Sequence, residues 1–120
     1  MDTEKVLHTI TTALDDRKGL DIQVIHVTDV TVLTDYIVIA SGTSVAHNRG
    51  LCGAVEEAME KAGADRKRHL EGEDSARWIL MDYGDVVVHI FHRQDREYYD
   101  LERLWDPENL RAMQANRAEA

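Results

Sequence analysis

The sequence predicts an α/β domain of the α+β kind, one mixed β-sheet with helices packed on it and elements in the order α-β-β-α-β-β-α. Three observations carry this. Apolar residues recur at helical spacing over residues 3–19 and 45–63. Apolar and polar residues alternate around β-branched side chains between residues 20 and 41. WILMDYGDVVVHIF, residues 78–91, has the form of two short strands about a tight turn. A chain of 120 residues suits one domain with a single core and is short for two. The domain is expected over residues 1–106, with 107–120 a short helical or frayed C-terminal tail.

In TEKVLHTITTALDDRKG, residues Val6, Leu7, Ile10, Ala13 and Leu14 form one stripe, and Gly19 is placed to stop the helix. LDIQVIHVTDV and DYIVIAS then read as adjacent antiparallel strands joined by the turn-like TVLT. SGTS leads into a helix running to Gly63, where Ser44 is suited to cap the start and Leu51, Val55, Met59 and Ala62 form an apolar stripe. Gly50 and Gly53 weaken that helix, and close packing on the sheet is the expected compensation. ADRKRHLEGEDSA has no apolar period and reads as a loop. After the hairpin, REYYDLERLW sets Tyr98, Leu101, Leu104 and Trp105 on one helical side, with Asp95 as the expected cap. Asp106 and Pro107 mark a break, and Leu110 and Met113 are the anchors of the tail.

The hairpin sorts by parity, because successive side chains of a strand point to opposite faces. With a two-residue turn at Tyr83-Gly84 or Gly84-Asp85, one face carries Ile79, Met81, Tyr83, Val86, Val88 and Ile90. It is almost wholly apolar and is expected to meet the helices. The other face carries Trp78, Leu80, Asp82, Val87, His89 and Phe91, and the mixture of aromatic, acidic and imidazole groups predicts a semi-exposed surface. Two readings of it stand side by side: a partner-binding patch, or a second layer of core in which Asp82 and His89 satisfy each other.

Charge narrows the class of partner. Fourteen Lys and Arg against 23 Asp and Glu give a net charge of −9, which opposes broad nucleic-acid binding and favours a basic protein surface. The single Cys52 forms no internal disulfide, and MDTEKVLHTI reads as neither a secretion signal nor an organelle presequence. No apolar run approaches the roughly 20 residues of a membrane span. A cytoplasmic protein without a membrane partner is therefore expected.

Candidate chemistry is thin. SGTS at residues 41–44 resembles the glycine-serine element of nucleotidyltransferases, and Gly42 to Ser44 would form a vestigial nucleotide site, but Ser44 as a helix cap is the simpler reading. Metal-dependent nucleotidyl transfer needs carboxylates projecting together from a strand. Glu71 and Glu73 read as loop residues, Asp82 and Asp85 flank a turn, and Asp100 and Glu102 lie two apart on a helix. His89 and His92 have opposite parity, and His26 and His47 lack evident ligand partners, so no metal is expected. Cys52 beside an apolar stripe reads as a buried hydrophobe. No catalytic residue and no cofactor are expected. The basic cluster Arg66, Lys67, Arg68 and His69 reads as a solvated loop able to touch phosphate.

TDYIVIASGTS, the pair Glu71-Gly72 with WILMDYGDVVVHIF, and REYYDLERLW stand in order between about Asp29 and Trp105, and together they resemble the Iojap-like family, the ribosomal silencing factors. The resemblance implies an α/β domain topologically akin to nucleotidyltransferases, while the missing carboxylate pair argues against an enzyme. It also implies docking on the large ribosomal subunit, on ribosomal protein uL-fourteen at the intersubunit face, with a block to subunit joining that represses translation when nutrients are scarce. Trp78, Leu80, Asp82, Val87, His89 and Phe91 would then be the docking residues, ribosomal RNA a secondary contact, and a homodimer of the free protein compatible with the same face. A nucleotide-binding, nucleotidyltransferase-like enzyme is the alternative.

Overall fold

A computed structural model of the chain describes residues 2–29, 33–64 and 69–98. Helix α1 (Thr3–Asp16) leads into β1 (Leu20–His26) and β2 (Tyr36–Gly42), and α2 (Val45–Lys61) follows. Then come β3 (His69–Glu71), β4 (Trp78–Asp82), β5 (Val86–His92) and α3 (Arg93–Tyr98). The sheet has the order β1-β2-β5-β4-β3. Its central pair, β2 and β5, is parallel, and the β1–β2, β4–β5 and β3–β4 pairs are antiparallel. This is the mixed sheet that the sequence predicts, with one more strand.

The extra strand corrects the loop expected at ADRKRHLEGEDSA. Within it, His69, Leu70 and Glu71 pair with Asp82, Met81 and Leu80. Three residues with one apolar side chain are too few to register as an alternation, so β4 recruits this strand by hydrogen bonding.

Helix α1 turns Ile10, Ala13 and Leu14 inward, and α2 does the same with Leu51, Cys52, Val55 and Met59. Both stripes close over Val38, Ala40, Ile79, Met81, Val86, Val88 and Ile90 to form the main core. Two helix ends use the same hydrogen-bond pattern. Gly63, with φ +75°, closes α2 through Gly63 N–H to Glu60 O and Ala64 N–H to Met59 O. In α1 the left-handed residue is Lys18, with φ +61°, and not the expected Gly19. Gly19 takes the next place, where its N–H reaches Leu14 O at 2.8 Å and an added Cβ would lie 2.9 Å from that oxygen. Its role is close approach to the helix end.

Gly50 and Gly53 depart from the compensation expected of them, because a Cβ at either meets nothing within 4 Å and both face outward. Gly42 is the packed glycine. A Cβ there would lie 2.1 Å from Asn48 Oδ1, and Asn48 is fully buried with its Nδ2 donating to Ala76 O at 2.7 Å. Asp95 is also not the cap of its helix. The chain passes from β5 into α3 without a loop, and the His92 ring takes the Gln94 N–H at 3.2 Å. The expected positions of Leu101, Leu104, Trp105 and the tail from 107 onward lie outside the described residues.

Three substitutions, of two opposite signs, follow. Gly50→Ala or Gly53→Ala adds helix propensity in open space and is expected to raise stability by roughly 0.5–1 kcal/mol each. Gly42→Ala collides with Asn48 and is expected to lower it by about 1–3 kcal/mol. Chemical denaturation of the three variants checks both.

Candidate functional site

The hairpin turn is Gly84-Asp85, with Gly84 at φ +88° and positive φ at the first of the two turn positions, as in a type II′ turn. Tyr83 N–H donates to Val86 O at 3.0 Å, and Asp82 Oδ1 accepts the Gly84 N–H at 2.8 Å. This turn pairs Trp78 with Phe91, Leu80 with His89 and Asp82 with Val87, so the six residues singled out by parity share one face. Their exposure differs. Trp78 is 38% exposed and Asp82 is half-buried, whereas Leu80 is 7% exposed and Val87, His89 and Phe91 are each 1%.

The expectation of a semi-exposed face is corrected accordingly: most of it is a second layer of core. Phe91 packs there with Val27, Ile37 and Ile39. Alternation tells which side of a strand a residue is on but not what lies over that side. β5 is the central strand, so its Val87, His89 and Phe91 have β2 on one side and β4 on the other, while Trp78 of β4 lies before the stretch, Leu80 to Asp82, that β3 pairs. Each member of the polar pair also bonds elsewhere. Asp82 caps the turn, and His89 Nδ1 accepts the Trp78 indole N–H at 3.0 Å. The Trp78 ring stacks on Phe91, with centroids 4.7 Å apart and planes at 28°.

On its β4 side the face reaches solvent at the β3–β4 corner, where sequence reasoning had Trp78 and Asp82 but missed His69 and Glu71 because it missed β3. The pairs His69–Asp82 and Glu71–Leu80 put both β3 side chains on the Trp78 face, and His69 Nε2 lies 2.6 Å from Glu71 Oε1. Leu70 turns the other way, into the main core. The signal in the sequence was this single polar-apolar-polar triplet. The corner therefore holds an indole, two carboxylates and an imidazole over a closed apolar floor.

The loop from Gly72 to Arg77 delivers Trp78 to its place. Gly72 has φ +82°, and a Cβ on it would overlap the Trp78 carbonyl oxygen, at 2.0 Å. Buried Ala76 adopts φ +57°, donates its N–H to Gly72 O and gives its carbonyl to Asn48 of α2. Arg49 of α2 donates to Asp74 O at 2.8 Å. Next to Trp78, Arg77 makes two bonds of 2.8 Å to the Asp95 carboxylate of α3. That hydrogen bond, assisted by the guanidinium charge, holds the Asp95 carboxyl below its ordinary range.

The other candidates are occupied by structural contacts. Ser44 caps α2 by accepting the His47 N–H at 3.0 Å, and Thr43 N–H donates to His47 Nδ1 at 2.9 Å while His47 Nε2 meets Arg17 O. Two of the N–H groups near SGTS are thus engaged within the chain. Cys52 is 5% exposed and donates to Glu56 Oε1 at 3.3 Å, at the wall of a cleft of about 450 Å³ between α2 and Glu73-Asp74. Burial, reinforced by Glu56, pushes the neighbouring Tyr83 phenol well up. Among the described residues no three His, Cys, Asp or Glu side chains gather into a metal site, and no helix is long and apolar enough to cross a membrane. Arg66, Lys67 and Arg68 lie outside the described residues.

Comparison with known proteins gives one consistent result. A family model described as ribosomal silencing factor during starvation matches residues 1–120. A ribosomal silencing factor RsfS of Halalkalibacterium halodurans is 34% identical over 105 residues, covering 88% of this chain and 89% of that protein. The mouse protein named mitochondrial assembly of ribosomal large subunit protein 1 is 35% identical over 94 residues, which is 77% of this chain and 41% of that one. A crystal structure of a Chromobacterium violaceum protein superposes with a TM-score of 0.82 at 35% identity, covering 88% of this chain and 87% of the other.

Opposite faces give opposite phenotypes. Met81→Ala removes a side chain with no exposure and is expected to cost about 2–5 kcal/mol. Trp78→Ala, at the rim, is expected to leave a cooperatively folded domain, and thermal unfolding of the two variants distinguishes them. Because the Asp95 carboxyl is lowered on folding, its contribution is full above the ordinary carboxylate pKa and drains away as pH falls through the lowered value. Asp95→Asn is expected to flatten that acid limb of the stability curve.

Proposed function

The chain belongs to the ribosomal silencing factor family, and on that premise we propose that it docks on the large ribosomal subunit and blocks joining of the small subunit, repressing translation when nutrients are scarce. The partner in this reading is ribosomal protein uL-fourteen at the intersubunit face. The name of the mouse relative, which refers to assembly of the large ribosomal subunit, supports a large-subunit partner. The role is one of occupancy in the cytoplasm, without catalysis, metal or cofactor.

The observation that carries the docking surface is the half-exposed Trp78 held over a closed apolar floor at the β3–β4 corner. An aromatic anchor in a fixed rotamer gives affinity at little conformational cost, and a carboxylate rim selects a basic partner. Trp78 and Asp82 make the contact together with Glu71 and His69, while Leu80, Val87, His89 and Phe91 support it from beneath. The net charge of −9 favours a basic ribosomal protein over the RNA around it, which contributes at most a secondary contact through the 66–69 cluster. In the free protein the same corner is available for pairing with a second copy.

The decisive measurement is sedimentation with purified subunits. The protein is expected to travel with free large subunits and to reduce the yield of joined ribosomes; undiminished joining at saturating protein would overturn the proposal. Trp78→Ala is expected to weaken binding to the large subunit by about 2 kcal/mol, roughly thirtyfold. Asp82→Asn keeps an oxygen for the Gly84 N–H and removes the charge. It is expected to weaken binding at low salt and much less at high salt, because exposed charges are screened.

A further inference from the structure

We infer that His89 is a positioning residue for docking: it does not touch the partner, but orients the Trp78 indole that does. The inference rests on the docking role proposed for Trp78. His89 is 1% exposed on the central strand β5, flanked by Leu80 on β4 and Ile39 on β2 and stacked beside Phe91 at 6.1 Å. In such a layer an apolar residue would cost nothing, whereas a buried imidazole needs a hydrogen-bond partner for each polar atom. At Nδ1 that partner is the Trp78 indole N–H.

An indole has one polar atom, a donor, and no acceptor. On the second face Trp78 lies opposite Phe91 and diagonal to His89, two residues along β5, which is within reach of a large side chain. Phe91 fixes the plane of the indole by stacking. Stacking alone leaves the ring able to turn over, exchanging its two edges. The 3.0 Å bond from Nε1 to His89 Nδ1 selects one of these orientations. The same bond selects the histidine tautomer, since only a neutral ring with its proton on Nε2 presents a lone pair at Nδ1. With the N–H bonded to His89, the Trp78 ring, in a residue 38% exposed, has only carbon left to offer outward, which suits an apolar group or the face of a guanidinium on the partner. Ordering the anchor before contact spares its immobilisation on binding.

The test uses the full chain with ¹⁵N-labelled tryptophan. Of the two indole resonances expected from two tryptophans, that of Trp78 is identified by its loss in Trp78→Ala. In the parent its Nε1 proton is expected to exchange slowly with solvent. His89→Phe, similar in volume but lacking an acceptor, is expected to exchange fast and to bind purified large subunits roughly three- to tenfold more weakly. His89→Asn places an oxygen near the former Nδ1 position and is expected to restore both slow exchange and affinity. In a Trp78→Ala background His89→Phe is expected to add no further loss, since it acts through the missing ring. Thermal unfolding confirms that each variant is folded. Equal losses in both backgrounds, an Asn variant no better than Phe, or fast exchange with unchanged affinity would each overturn the inference. Trp78→Ala binding as tightly as the parent would overturn the docking role itself, an outcome read without any His89 variant.

Discussion

The two-residue turn at Gly84-Asp85 sets the register on which the rest of the sheet depends. A slip of one residue in a hairpin exchanges every side chain between faces, and here that would drive Trp78 and Asp82 into the helix-covered core. Two local bonds and one backbone conformation oppose the slip: Gly84 N–H to Asp82 Oδ1, Tyr83 N–H to Val86 O, and the closure of the turn around a glycine with φ +88°. The same turn reaches across to β2. Asp85 O accepts both Asp35 N–H at 2.9 Å and Tyr36 N–H at 3.0 Å, so the alignment of the parallel β2–β5 pair begins from the same two residues. Register in the parallel pair and in the hairpin is thus decided at one place.

Given that register, the sheet has two unequal faces. The helix face is sealed by α1 and α2 and supplies most of the apolar burial. The opposite face is buried along its centre and opens toward its edges, with the Trp78 corner on the β3 side. Burial at roughly 25 cal/mol per Å² of apolar surface favours closing that face entirely, and one buried imidazole is a small cost against it when Nδ1 is paired. The geometry of the open corner also depends on α2, because Asn48 and Arg49 hold the loop that precedes Trp78. A helix that contributes nothing to the corner directly therefore helps to set the position of its central residue.

Helix α3 is fastened by charges. Arg77 and Asp95 form an open, two-bond ion pair at one point. At the other, Arg96 donates to Asp21 O at 2.7 Å and to Ser41 Oγ at 2.9 Å, and pairs with the Asp21 carboxylate at 3.4 Å. Burial pulls the Arg96 pKa down and Asp21 opposes it; the backbone and hydroxyl acceptors meet the donors that the burial would otherwise strand. Asp21 sits at φ +47° within the irregular register of β1, so the bulge of that strand and the seating of α3 form one arrangement. The consequence is that the chain leaves β5 on the face that carries Ser41 and Phe91.

The amino-acid sequence by itself determined the class of fold, the placement of α1, α2 and the two hairpin strands, the cap at Ser44, and which residues of WILMDYGDVVVHIF share a face. These follow from periodicity and from local backbone chemistry, which are written in consecutive residues. It also carried the family, through three blocks of residues in order. Tertiary structure alone decided that Val87, His89 and Phe91 are interior while Trp78 is not, that β3 exists, that Lys18 and not Gly19 takes the left-handed turn, and that Gly42 is the packed glycine while Gly50 and Gly53 face open space. Parity assigns a side chain to a face, but burial depends on which strand is central and on what covers it, and those are contacts between residues far apart in the chain. For the same reason His89 could be placed beside Trp78 on a face from sequence, while the bond between them required the stagger and twist of the assembled sheet.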